Sequence, residues 1–435
     1  MTRFSLKDTE KNDTIAIPEC EEPLLKSSSS ANDDIFDKQY LFMKISLKSV
    51  DIILASTIFC FLVICCWRGA WELFDIYDNY FPTYESFCLT MVIYLVLALS
   101  QHTFQDIVDQ PAETSLRKYF NLLIMKMHFY ILLFATIMLF RTGSNIYDDI
   151  VNVFHGIGLK FKFWDDDCSA SSVILTVIVV AVLTWIRGMA NLTTAPMDIT
   201  CDGKDDIFLI ECTFFKMGER TSLYVLDCLF SILVVGTLVV FVWRGVWQLI
   251  DIFLFPNDEI FSSWSSLVLG YLVVASAFLL QPLMKYLCER LTGTTRLLIA
   301  DTFVLYALFG TVNVWRGIWN LLNIYFLPDN LEMSCWITHW VSLIILILCR
   351  CSNSLLVRGV YIDAEEPAGK CVVFPCYYLR VIFRKKKLKK LNLATMSLND
   401  TIKKVNHKES ASNHVVKIST ISDTVEENCD TKQCK

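Results

Sequence analysis

Three stretches of this 435-residue chain repeat one arrangement of aromatic, basic and acidic side chains. They are Trp67-Arg68-Gly69-Ala70-Trp71-Glu72-Leu73-Phe74-Asp75, Trp243-Arg244-Gly245-Val246-Trp247-Gln248-Leu249-Ile250-Asp251 and Trp315-Arg316-Gly317-Ile318-Trp319-Asn320-Leu321-Leu322-Asn323. A degenerate fourth copy runs from Phe140-Arg141 to Tyr147-Asp148; it keeps the Arg and Asp spacing and loses both Trp. On a helix, Trp at i and i+4 share a face, with the Arg one step round and the Asp two turns beyond. That Arg and Asp lie about 10 Å apart along the axis, too far to pair with each other. Each Arg can instead meet an Asp of a neighbouring copy, giving a charge ring that locks the helices or binds an anionic lipid or a carboxylate. The competing reading is anchoring. The Trp then form an interfacial belt, Arg68, Arg141, Arg244 and Arg316 snorkel to headgroups, and Gly69, Gly245 and Gly317 let another helix approach closely.

No catalytic constellation accompanies these motifs. HExxH, P-loop, GxSxG and dinucleotide fingerprints are absent from the sequence, and His102, His128, His155, His339, His407 and His414 show no ligand spacing. The expectation is therefore no enzyme, no catalytic or metal residue and no cofactor. The acidic loops lack the ligand spacing of an EF-hand. The seventeen Cys form no CxxC pair, and most read as small buried hydrophobes. Lys126, His128, Asp301 and Asn313 lie within apolar blocks, where ionisable groups mark either a transport path or, for Asp51, Asp227 and Asp301 near Lys48, Arg220 and Arg296, pairing at the cytosolic helix ends. The run Arg384, Lys385, Lys386, Lys387, Leu388, Lys389, Lys390 reads as a contact with anionic lipid or as a plain positive-inside stop, with Cys371 and Cys376 beside it as possible acylation sites.

The elements that hold these residues follow from composition. The chain is 54% hydrophobic and 19% charged, with a net charge of −6, which argues against a single soluble globule and against nucleic acid as a partner. Eight apolar blocks, at about 50–70, 84–101, 120–140, 171–187, 222–243, 262–281, 297–316 and 335–357, approach the ~20 residues a helix needs to cross a bilayer. Unbroken apolar runs such as Val173 to Leu183 exclude barrel strands, so the expected fold is all-α and polytopic. Lys and Arg concentrate in alternate loops, which places both termini in the cytosol. Cys168 and Cys335 then fall outside, at equivalent places before spans 4 and 8, where a disulfide is conceivable.

Each motif copy is expected to close an odd-numbered span at its outer end. Asp51 and Asp227 precede their motifs equally, Gln101 and Gln281 end the next spans, and Arg187-Gly188 and Arg358-Gly359 end spans 4 and 8. The chain therefore reads as four helix pairs or two parallel four-helix repeats. The expected division is a disordered cytosolic tail at 1–44, a first repeat at 45–200, a linker at 201–219, a second repeat at 220–365, and a basic then disordered tail at 366–435. The start of the chain reads as a tail and not as a cleaved signal peptide, so the first apolar block reads as a retained span.

With three Trp-Arg-Gly-x-Trp copies, eight spans and internal termini, the chain resembles the Fuseless family of invertebrate multipass membrane proteins over roughly residues 45–365. The resemblance implies a presynaptic plasma-membrane protein needed for synaptic transmission and for placing voltage-gated calcium channels, with channel or scaffold proteins as partners beside the lipid bilayer. It assigns no catalytic residue. A second class remains open: a carrier of a small solute or amphipathic lipid, using a cavity between the two halves.

Overall fold

The computed structural model describes residues 45–110, 114–156, 167–199, 201–202, 222–356 and 369–383. One compact unit spans Lys48–Lys435, and all contacts below lie within it. Among the described residues the regular structure is helical apart from an isolated bridge between Ile199 and Cys376. The helices are α1 (Ile45–Ile76), α2 (Thr83–Asp109), α3 (Ser115–Gly156), α4 (Asp167–Trp185), α5 (Leu223–Phe253), α6 (Glu259–Arg290), α7 (Gly293–Tyr325) and α8 (Leu331–Leu348). Asp258 and Asn330 cap α6 and α8 by accepting from the backbone N–H groups of Phe261 and Met333, at 2.9 and 3.0 Å.

All of these except α4 are long and apolar enough to cross a membrane. The block expected at 171–187 forms α4, whose apolar part, Ala170–Trp185, is shorter. The motifs close α1, α5 and α7, which end at Ile76, Phe253 and Tyr325 just past Asp75, Asp251 and Asn323, while α3 runs on beyond Asp148 to Gly156. That helix reaches 42 residues, about 60 Å at the usual rise. Hydropathy falls where Arg and Asp begin, but paired charges let the helix go on.

Helices α1, α3, α5 and α7 form an inner ring in which each packs on the next and α7 closes on α1. Outside it, α2 packs on α3, α4 on α5, α6 on α7 and α8 on α1. Each outer helix thus lies mainly against the inner helix that follows it, and the last against the first. Contacts therefore run between the segments 45–200 and 220–365, with α4 leaning on α5 and α8 on α1. The motif glycines set these contacts: a Cβ on Gly69 would meet the Cys335 carbonyl of α8, on Gly245 the Thr176 side chain of α4, and on Gly317 the Leu267 backbone of α6. The outer faces expose Leu89, Val92, Leu272, Leu279, Val341 and Ile344, a surface suited to lipid.

At the end opposite the motifs the chain turns inward after α4 and α8. Arg187 (φ 60°) and Arg350 (φ 56°) end these helices in the left-handed region. The next N–H groups, of Gly188 and Cys351, bond back to Leu183 and Leu346 at 2.9 Å, closing each helix as a Schellman turn. Arg350, and not Arg358, is therefore the structural counterpart of Arg187; Arg358 and Gly359 lie outside the described residues. The 3₁₀ turns Met189–Leu192 and Ser352–Leu355 then enter the bundle, where Met189, Leu192, Ala195, Met197 and Leu355 are buried. Irregular backbone at this depth is tolerated because protein surrounds it.

Residues 369–383, expected in the C-terminal tail, pack against the bundle. Phe374 stacks on Phe303 at 5.4 Å, and the buried Cys376 thiol bonds to the Pro196 and Met197 carbonyls. Arg380 pairs with the buried Asp51 at 2.9 Å, so Asp51 takes its partner from the far end of the chain. The basic run Arg384–Lys390 lies outside the described residues, as does the Cys168 side chain; Cys335 is buried with a free thiol.

Candidate functional site

Each motif arginine bonds to the inner helix before it. Arg141 donates from Nε to Asp75 and from Nη2 to Asp78, both at 2.6 Å, and from Nη1 to the Phe81 carbonyl at 2.8 Å. Arg244 grips Asp148 with two nitrogens at 2.9 Å. Arg316 meets Asp251 at 2.6 Å and donates to the Ser262 hydroxyl at 2.8 Å. At the junction that closes the ring, Arg68 donates to the Asn323 side-chain oxygen at 2.6 Å and to Ser334 at 3.2 Å. The Arg of one copy is therefore held by the acidic position of the copy before it, all the way round, with an amide in the last place. Arg68, Arg141 and Arg316 are fully or almost fully buried. Their stems and heads are interior groups, which is possible because every guanidinium is bonded.

The Trp side chains face the axis of this ring. Trp67 meets Phe140 and Trp315, and Trp315 meets Trp243, edge to face at 5.2–5.5 Å. One turn nearer the arginine ring's acidic partners, Trp319 meets Trp71 at 5.6 Å and Trp247 at 5.9 Å in the same manner. The indole N–H groups are used: Trp67 donates to the Leu355 carbonyl, Trp315 to Ala195 and Trp319 to Glu72, at 3.1, 2.7 and 2.7 Å. The two incoming segments thus form the floor beneath the aromatic tiers. The degenerate copy supplies Phe140 and Ser144 where the others have Trp, and the missing indole leaves room. A cavity of about 180 Å³ opens there, bounded by both tiers, Glu72, Arg244 and residues 191–194.

This placement corrects the anchoring expectation. Trp67, Trp71, Trp243, Trp247, Trp315 and Trp319 turn to the bundle axis, since the i, i+4 spacing fixes a shared face without saying which way it looks, and Arg68 and Arg316 are buried between inner and outer helices, where they bond to Ser334 and Ser262. The motif residues of all copies come together. Lys126, His128, Asp301 and Asn313 are not among those bounding the cavity. The sequence reading missed Glu72 as a wall residue, Asp78 as a second partner of Arg141, and the floor at 191–194. Glu72 carried a readable signal: the other copies have Asn145, Gln248 and Asn320 at its position. Among the described residues no group of three His, Cys, Asp or Glu is placed to hold a metal.

The fold and site together define a helical, multipass membrane protein whose repeated Trp line a chamber and whose repeated Arg bond one inner helix to the next. The Fuseless family model matches residues 46–356, and the chain belongs to the Fuseless family. No curated protein and no solved structure matches it.

Proposed function

We propose that the chain is a non-enzymatic, eight-span protein of the presynaptic plasma membrane, with both termini cytosolic, that supports synaptic transmission by organising voltage-gated calcium channels directly or through scaffold proteins. Family membership supports the synaptic role. The observation that carries the organising role is the closed ring: bonds at every junction of α1, α3, α5 and α7, with a filled floor, make a fixed body suited to holding partners. The pairing of Arg380 with Asp51 supports α4 as the remaining crossing, because a chain that returns to the end where it began makes an even number of passes.

The test is rescue in neurons that lack the protein. Re-expressing the full chain is expected to restore calcium-channel clusters at release sites. A chain lacking 391–435 is expected to reach the surface and leave the clusters dispersed. Full-chain rescue of transmission without any change in channel clustering would sink the proposal. The chamber favours a second reading, a carrier of a small solute or amphipathic lipid, for which flux into reconstituted vesicles is the discriminating measurement.

A further inference from the structure

The copies depart from one another in two places that touch. The acidic position that receives the next arginine is Asn323 in the last copy, and the position after the second aromatic is Glu72 in the first, where the others carry an amide. The Asn323 amide donates to Glu72 Oε1 at 3.3 Å, and Trp319 donates to the same oxygen at 2.7 Å. A carboxylate is thus absent from the ring and present on the chamber wall, held still by two donors. Arg244, the cation on that wall, is already matched by its two-point grip on Asp148. Six Trp are among the residues that line the rest. Ring faces are electron-rich, and an enclosed cation over them is attracted most strongly by Trp.

We infer that the chamber is a binding site for a small organic ammonium ion, with Glu72 as its counter-charge and Trp71, Trp243, Trp247 and Trp319 as a cation–π cage. At about 180 Å³ the chamber exceeds the roughly 150 Å³ of an engineered cavity that takes up benzene, which fits a trimethylammonium group with a short substituent. The site stands apart from the organising role and is tested without reference to it.

The test uses the full chain in lipid nanodiscs, titrated with choline and with its neutral isostere 3,3-dimethyl-1-butanol, read by tryptophan fluorescence and calorimetry. Choline is expected to bind at least about tenfold more tightly than the isostere, the difference made by charge alone. Glu72→Gln keeps an oxygen for Trp319 and Asn323 and is expected to erase that preference while the melting temperature holds. Trp247→Leu, a second and independent variant, is expected to weaken choline several-fold more than the isostere. Equal binding of the two probes, binding of acetate in preference to choline, or undiminished choline preference in a folded Glu72→Gln or Trp247→Leu protein would each overturn the assignment.

Discussion

Removing Arg316 and removing Asp251 are not equivalent changes, although they break the same bond. The Arg316 side chain is 5% exposed and that of Asp251 is 41%. Asp251→Ala leaves a buried guanidinium whose bonds, among the described residues, are then to Ser262, a loss on the order of 3–5 kcal/mol. Arg316→Ala leaves a carboxylate that water can reach, at a smaller cost. Melting temperatures in detergent should therefore place Asp251→Ala below Arg316→Ala; the reverse order would mean that packing of the arginine stem, and not its charge, holds the junction. Asn323→Asp should also destabilise, by about 1–3 kcal/mol, because it replaces the donor to Glu72 by a second carboxylate. Adding Glu72→Gln to it restores the pattern of the other junctions and should recover most of the loss, a coupling that a double-mutant cycle reads directly. The sequence was informative here up to a point: the Arg to Asp spacing excluded a pair within one helix and required a neighbour. It could not say which neighbour, because that depends on the order of helices round the ring.

Helix contacts respond to smaller changes. A Cβ on Gly317 would sit 2.7 Å from the Leu267 backbone nitrogen, so Gly317→Ala must push α6 from α7 and should lower stability by about 1–3 kcal/mol. Gly156→Ala, with open space around it, is the matched control expected to be silent. Hydropathy found the apolar blocks and the short loops between them. It missed the floor segments, since stretches such as Asn191-Leu192-Thr193-Thr194 have loop composition and owe their burial to the shortness of α4 and α8, which leaves space beneath the aromatic tiers. It also assigned Cys376 to a tail. Burial pushes the Cys376 thiol well above its ordinary range, so little thiolate forms at neutral pH, and raising the pH toward 9 should not expose it. A maleimide should label the exposed Cys88 in the native protein and spare Cys376 until the bundle is unfolded; rapid labelling of Cys376 would mean that residues 369–383 detach.

Taken whole, the molecule has no first or last helix in the mechanical sense. The junction of α7 with α1 uses the same positions as the others, α8 covers α1 as α2 covers α3, and Arg380 lies beside Asp51. Such a body is a closed hoop that the gene happens to cut between α8 and α1. Circular permutation follows: a chain opened within 203–221, with residue 383 joined to residue 48 by a short flexible linker, should assemble the same hoop and melt within a few degrees of the parent. The order in which ribosomes deliver the helices would change, and the finished object would not.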